Sequence, residues 1–196
     1  ATSTNSFYTA NGTNRIEVYG NLEWNQHVPF RTSNVNRLLI SDNNGVDKII
    51  SDIYVHHNTH RTYQTILAIG GSATSNAGSI PRFRFMNNVD IAPSHAYTSP
   101  LANAGYAGTA LLNSACGAGN WTFAGNVAIG AAGFPWNNVA GNYAVAASAL
   151  QFVDESTGNY KLVDYSAYTG TDGQAPGVPY DHMVSMLSGV LAGDAA

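Results

Sequence analysis

The sequence has few charged residues, a single cysteine and no long apolar run. Only 10% of its 196 residues are charged, against about 25% in an average globular protein. The formal net charge of -4 offers no basic surface for nucleic acid and no polybasic membrane anchor. No uninterrupted run of about 18 apolar residues is present, which excludes a membrane-spanning helix. We therefore expect neither a nucleic-acid partner nor a membrane span.

The lone Cys116 excludes an internal disulfide. We interpret it as a small buried residue, because a reactive thiol would need a partner such as histidine and no Cys-His pairing is evident. The residues that are abundant, Gly, Ala, Asn, Ser and Thr, favour stacked, tightly turned strands over a helical bundle. A chain of this length suits one domain with a substantial core.

A short frame, apolar-x-apolar-x-x-Asn, recurs four times, at residues 16–21, 53–58, 83–88 and 121–126. Successive copies begin 37, 30 and 38 residues apart, and a looser copy occupies residues 38–43. Two apolar residues separated by one polar residue indicate a strand with one buried face, and the Asn marks a tight turn. Recurrence at this spacing predicts stacked parallel strands, a β-solenoid with inserted loops.

The asparagines that close the four frames are expected to stack at one corner. Asn tolerates the left-handed backbone of a sharp turn, and its amide both donates and accepts hydrogen bonds. Identical Asn residues about 4.8 Å apart can therefore bond along the stack. The predicted ladder consists of Asn21, Asn58, Asn88 and Asn126.

The whole chain, residues 1–196, is predicted to form one all-β domain. Residues 1–14 would form a partial first coil, and residues 15–165 the remaining coils, with insertions near 70–80 and 93–119. Residues 166–196 would form a C-terminal cap. Apolar residues at near-helical spacing between His182 and Leu191 predict a short capping helix there.

The frames, the segment Gly158-Asn159-Tyr160-Lys161-Leu162 and residues 168–173 resemble the C-terminal half of right-handed parallel β-helix proteins of the pectate-lyase-like superfamily. More narrowly, they resemble secreted bacterial β-helix repeat proteins. The resemblance covers roughly residues 13–190 and implies a right-handed parallel β-helix, located extracellularly or on the cell surface. It implies little about activity, because that superfamily includes lyases, hydrolases, tailspikes, adhesins and structural proteins.

Proteins of this kind usually begin with an amphipathic cap, and residues 1–14 show no such helix. Either the chain is part of a longer precursor or another chain covers this end. We expect self-association through the uncapped N-terminal end, and repeated contacts of that type would give a filament.

Because side chains alternate along a strand, five polar residues are expected on one outer face: Glu17, Tyr54, His56, Arg82 and Arg84. Aromatic rings suit sugar faces and arginines suit acidic groups, so this face is a candidate polysaccharide site. The alternative is a solvated sheet face with weak cross-strand ion pairs.

The candidates for catalysis are His56, Tyr54 and Arg84, with His or Tyr as proton acceptor and Arg neutralising a uronate carboxylate. The paired-aspartate motif of polygalacturonases is absent. Neighbouring His56 and His57 should face opposite ways on a strand, and His57 and His60 flank a turn, so we interpret them as polar turn residues. We expect no metal site and no cofactor.

Three functions remain open. The first is an extracellular, non-catalytic module with a structural, self-assembling or surface-adhesive role. The second is a polysaccharide lyase or glycoside hydrolase acting on acidic polysaccharide. The third is a carbohydrate-binding or tailspike-like recognition module without turnover.

Overall fold

The structure is a computed structural model. It describes residues 7–9, 14–24, 38–41, 51–61, 67–70, 80–91, 102–103, 106–129, 140–145, 152–154, 157, 159–163 and 167–193. Of the predicted first coil, residues 1–6 and 10–13 lie outside the described residues, as does much of the predicted insertion near 70–80. Whether the N-terminal end has a cap therefore stays a prediction.

The described residues form sixteen short strands and two helices. In chain order the strands are β1 (Phe7–Thr9), β2 (Asn14–Tyr19), β3 (Leu22–Trp24), β4 (Leu38–Ser41), β5 (Ser51–His56), β6 (Thr59–Arg61), β7 (Leu67–Gly70), β8 (Phe83–Met86), β9 (Val89–Ile91), β10 (Ala102–Asn103), β11 (Tyr106–Ala107), β12 (Trp121–Ala124), β13 (Val127–Ile129), β14 (Tyr143–Val145), β15 (Phe152–Asp154) and β16 (Asn159–Leu162). The helices are α1 (Gly108–Cys116) and α2 (Tyr180–Gly193).

Three sheets are parallel, with strand orders β1-β4-β7, β12-β8-β5-β2 and β14-β13-β9-β6-β3. Each of the four frames forms one strand of the second sheet, and the residues directly after each frame form one strand of the third. Two further pairs, β10 with β11 and β15 with β16, are antiparallel.

The predicted fold class, an all-β right-handed parallel β-helix, is wrong. The described residues form a mixed, strand-rich structure in which parallel and antiparallel sheets accompany two α-helices. Helix α1 lies inside the stretch 93–119 that was predicted to be an inserted loop. Its sequence, GTALLNSAC, is rich in good helix formers, and it buries Leu112, Ala115 and Cys116.

Two further elements are the strand at residues 143–145 and the C-terminal helix. Residues 143–145 open an Ala-rich stretch, but they form β14, which pairs with β13. The predicted C-terminal helix is present as α2. Its Val184, Met186 and Leu187 are exposed, so these side chains do not cover a core. Among the described residues, no helix is long and apolar enough to cross a membrane.

The frame residues predicted to point inward line the inner side of the four-stranded sheet. Ile53, Val55, Phe83, Phe85 and Phe123 are at most 3% exposed. Three further members of the predicted set, Ile16, Val18 and Trp121, are only partly buried. Phe85 and Phe123 stack with ring centroids 5.1 Å apart. A second apolar cluster lies under the five-stranded sheet and contains Val89, Val127, Ile129, Val145, Tyr160 and Leu162.

A sharp corner joins each strand of the four-stranded sheet to the next strand of the chain. The residue before each corner asparagine has positive φ: 67° at Gly20, 51° at His57, 56° at Asn87 and 69° at Gly125. Two of these positions carry residues other than Gly, which the left-handed region disfavours. The surrounding contacts must therefore stabilise His57 and Asn87 in this conformation.

Candidate functional site

The corner asparagines form a continuous hydrogen-bonded row. The Asn58 side-chain oxygen accepts from the backbone N–H and the side-chain amide of Asn21, each at 2.9 Å. Asn88 accepts in the same way from Asn58, at 3.0 Å, and Asn126 from Asn88, at 2.9 Å. The row continues to Asn142, which accepts from Asn126 at 3.2 and 2.8 Å.

Each interior amide also bonds to a strand of the preceding frame. The side-chain nitrogens of Asn58, Asn88 and Asn126 donate to the carbonyl oxygens of Val18, Val55 and Phe85. These three asparagines are fully buried, and an amide that lost its partners there would be costly. The row therefore fixes the register of the outer face that lies next to it.

The outer face of the four-stranded sheet brings together the residues predicted to bind carbohydrate. The register places Glu17, Tyr54, Arg84 and Thr122 in one row across the sheet. Tyr19, His56, Met86 and Ala124 form the neighbouring row. Arg82 lies immediately before β8, in the turn that leads into it.

Aromatic rings form a short run along this face. Tyr54 and His56 stack with centroids 3.8 Å apart and planes inclined by 11°. Tyr19, 48% exposed, lies 4.7 Å from His56. The Arg84 guanidinium carbon lies 6.0 Å from the Tyr54 ring centroid, at the limit for a cation-π contact. Burial, with the nearby Asp172 carboxylate, raises the pKa of Tyr54, which therefore stays a protonated hydrogen-bond donor.

A shallow depression of about 140 Å³ opens beside this run. Its lining residues are Arg82, Phe83, Arg84, Gly119, Asn120, Trp121 and Thr122. The indole N–H of Trp121 donates to the Asn113 side chain of α1 at 2.9 Å, which fixes the orientation of the ring. Helix α1 thus contributes to this site, although no sequence pattern predicted it.

The two arginines of the depression differ in their partners. Arg82 makes a paired contact with Asp52, with Nε to Oδ1 at 2.5 Å and Nη2 to Oδ2 at 2.7 Å. This contact, with a hydrogen bond from Ser51, holds the pKa of Asp52 well below its usual range. Among the described residues, no carboxylate lies within ion-pair distance of Arg84. Arg84 is therefore the arginine whose charge a ligand can neutralise.

A chain of four side chains runs from the outer face into the corner. Glu17 Oε1 lies 2.8 Å from His56 Nε2, and His56 Nδ1 lies 3.3 Å from His57 Nδ1. His57 Nε2 lies 3.2 Å from Asp172 Oδ2, without the alignment of a hydrogen bond among the described residues. The His57 side chain is only 8% exposed. Interpreting it as a polar turn residue was therefore incomplete.

Residues 167–179, which we call the docked segment, cover the corner. The Asn87 side-chain oxygen accepts from the Thr171 N–H at 2.8 Å and from its hydroxyl at 3.1 Å. The Gly177 N–H donates to the Asn87 carbonyl at 2.8 Å, and the Val178 N–H to the Thr59 hydroxyl at 3.0 Å. These contacts explain how Asn87 keeps its positive φ and why His57 is buried.

Other candidate chemistry is limited in the part of the chain that the structure describes. No group of three or more His, Cys, Asp or Glu side chains could hold a metal ion there. Cys116 is buried, as predicted, and burial raises the pKa of its thiol to about 12. It is therefore not a nucleophile at neutral pH.

Sequence reasoning missed several residues of this region. The docked segment reaches Asn87 from 84 residues away in the chain, and no local pattern predicts such a contact. Trp121 was expected only among the inward-pointing residues of its frame. Asn142, the last member of the asparagine row, was also missed, although the sequence carries a signal for it. It follows Gly141 just as Asn21 follows Gly20.

Comparison of the chain with protein-family models, with curated protein sequences and with solved structures gave no match. The resemblance to secreted bacterial repeat proteins therefore stays a prediction.

Proposed function

We propose that this chain binds acidic polysaccharide, without turnover, on the outer face of its four-stranded sheet. The observation that carries the proposal is the depression lined by two arginines, Arg82 and Arg84, together with Asn120, Trp121 and Thr122. Guanidinium groups bind carboxylates through paired, charge-assisted hydrogen bonds. The stacked rings of Tyr54 and His56 offer apolar faces to sugar rings on the outer face, and the partly buried Trp121 lines the depression at the edge of the sheet.

The size and charge of the site favour a polymer over a small molecule. A depression of about 140 Å³ is smaller than the roughly 300–1,000 Å³ of pockets that enclose small ligands. It suits one acidic group, while neighbouring sugars lie along the open face. The chain as a whole is acidic, with a net charge of -4, so a polyanion must be held by local contacts rather than by a general field.

The lining of the depression supports binding over catalysis. Its lining residues are Arg82, Arg84, Asn120, Trp121, Thr122 and Gly119, with the buried Phe83 beneath them. None of these groups exchanges a proton near neutral pH. We therefore propose a binding role rather than a lyase or hydrolase activity, and a location outside the cell or on its surface, where such polymers occur.

Calorimetric titration with a polyuronate tests the proposal, with a neutral glucan as the comparison ligand. Arg84→Ala should weaken polyuronate binding by about 1–3 kcal/mol, the range for hydrogen bonds to charged groups. Lys161→Ala removes the same charge from β16, where Lys161 pairs with Asp181, and should bind as the wild type does. Arg84→Lys should be intermediate, because an ammonium keeps the charge but loses the paired geometry.

Two outcomes would contradict this proposal. Equal affinity of wild type and Arg84→Ala, or no binding by either, would leave the outer face a solvated sheet surface. Accumulation of unsaturated products or new reducing ends during the titration would show turnover and favour the enzymatic alternative.

A second candidate is self-association along the strand edges. β1, β2 and β3, three strands consecutive in the chain, are each the terminal strand of a parallel sheet. In the described part of the chain, no strand pairs with their free edges, and such edges template pairing with another chain. We propose a second copy as the partner. Light scattering and electron microscopy test this, and a monodisperse monomer at high concentration would contradict it.

A further inference from the structure

One buried side chain, the His57 imidazole, has no role in the proposed binding site. His57 Nε2 is buried and lacks a hydrogen-bond partner among the described residues, although the Asp172 carboxylate is 3.2 Å away. It belongs to the chain of four side chains that we call the relay: Glu17, His56, His57 and Asp172. The relay links the outer face to the docked segment.

Counting protons shows which state of the relay is complete. Three contacts join its members: carboxylate to imidazole, imidazole to imidazole, and imidazole to carboxylate. Each contact needs one N–H between its two heavy atoms. Two neutral imidazoles supply two N–H groups, so one contact lacks its hydrogen. One added proton supplies the third N–H, and a second added proton places two N–H groups against each other between the Nδ1 atoms.

We propose that the relay is a proton-binding site that holds one shared proton, clamps the docked segment to the sheet in that state, and releases the segment when a second proton enters. In the singly protonated state His56 donates to Glu17 and to His57, and His57 donates from Nε2 to Asp172. Each of the three contacts then has one N–H between its two heavy atoms. A second proton breaks the contact between the two imidazoles, and the doubly charged pair opposes burial under the segment.

The surroundings favour placing the charge on His56 rather than on His57. Burial lowers the pKa of His57 below its usual value, the Asp172 carboxylate raises it, and His56 lowers it further. His56 is bonded to the exposed Glu17 carboxylate and stacked on Tyr54, with Tyr19 beside it.

Among the described residues, the other groups that bear on the pair are Tyr54, whose pKa is raised, and Arg84 of β8, which lies beyond Tyr54. Because the two Nδ1 atoms lie 3.3 Å apart, a proton on one imidazole opposes a proton on the other. The inference does not depend on polysaccharide binding.

The test combines histidine NMR titration with amide hydrogen exchange on the full chain. The reporters are the N–H groups of Thr171, Gly177 and Val178, which hold the segment. The N–H groups of Val89 and Val127, bonded within the corner, are internal references. We expect two coupled histidine steps, with the three reporter amides exchanging at least about 10-fold faster once the second proton enters, while the references stay protected.

Two relay variants and one control make the test specific. Asp172→Asn removes the inner charge and should speed reporter exchange by about 10-fold in the singly protonated range. Glu17→Gln, at the exposed end, should move the first histidine step to lower pH. Asp181→Asn, which removes a charge paired with Lys161, should change neither quantity.

Three results would overturn the proposal. The first is that His56 and His57 titrate in independent single steps. The second is that the protection of the reporter amides does not change across the acidic range, or changes together with the protection of the reference amides. The third is that Asp172→Asn and Glu17→Gln behave like Asp181→Asn.

Discussion

Removing one interior rung of the asparagine row should destabilise the protein much more than removing its end. In Asn88→Ala the Asn58 backbone N–H and side-chain amide lose the oxygen to which they donate at 3.0 Å. The Val55 carbonyl and the Asn126 side-chain oxygen each lose a donor. Asn58 and Asn88 are fully buried, so water cannot replace these partners without opening the corner.

The magnitude follows from which groups are left unpaired. The Asn58 amide keeps its bonds to the Val18 and His56 carbonyls, and the Asn126 oxygen keeps the Asn88 backbone N–H. The Asn58 backbone N–H loses its side-chain acceptor. An unsatisfied buried donor costs about 1–3 kcal/mol, so we expect Asn88→Ala to lower the free energy of unfolding by about 2 kcal/mol.

Asn21→Ala is the matched control, because it removes the same side chain from the exposed end of the row. The Asn58 oxygen keeps the Asn21 backbone N–H as a donor, so the loss should stay below about 1 kcal/mol. Urea unfolding of the two variants and the wild type measures the difference, with unchanged m-values showing that the comparison is valid. Equal shifts in the two variants, or no shift in Asn88→Ala, would refute the reasoning about the row.

Three further predictions concern local features. Gly125→Ala should destabilise more than Gly173→Ala, although both need positive φ, because only the Cβ at Gly125 would collide with the Asn87 amide oxygen. The strain of a positive φ costs about 1–2 kcal/mol in both variants. Equal urea midpoints for the two variants would therefore contradict the close approach at Gly125. Cys116, whose thiol pKa burial raises to about 12, should resist alkylation at neutral pH until the chain is unfolded, and rapid labelling of the native protein would contradict its burial. Because the pKa of Asp52 is lowered in the folded state, its ion pair should stabilise the fold at pH values above the usual carboxyl pKa. This stabilisation should be lost as the pH falls below that value. An Asp52→Asn variant with an unchanged acid-unfolding curve would contradict this.

The register of the outer face could be predicted because it depends on a local alternation. In a strand, the inward position of Ile53 and Val55 dictates that Tyr54 and His56 point the other way. The recurring asparagine then aligns successive strands, which places Tyr54 beside Arg84. Both signals lie within six consecutive residues, so the sequence carries them without reference to distant segments.

The remaining features depend on contacts between distant parts of the chain or on competing local preferences. Asp172 and Thr171 reach the corner from far along the chain, and the burial of His57 follows from that docking. Helix α1 forms because Ala and Leu propensity prevails within a stretch whose Gly, Ser and Pro content suggested a loop. Helix α1 and the antiparallel pairs are why the all-β parallel prediction is wrong.

The relay should also contribute to the pH dependence of stability. In acid, the unfolded chain binds one proton on each of the two histidines, whereas the folded relay holds only one shared proton. The free energy of unfolding should therefore fall as the pH drops below about 6.5. Substituting His57 by Gln should flatten this part of the stability profile, and an unchanged slope would show that His57 titrates alike in both states.

The most direct measurement of the central claim is the fluorescence of Trp121 during titration with an oligouronate. The chain has three tryptophans, so a variant in which Trp24 and Trp136 are replaced by Phe reports on Trp121 alone. We predict a saturable change in emission that is lost in Arg84→Ala and retained in Lys161→Ala. Binding that leaves the emission of Trp121 unchanged, or a change that survives Arg84→Ala in full, would contradict a polysaccharide site on this face.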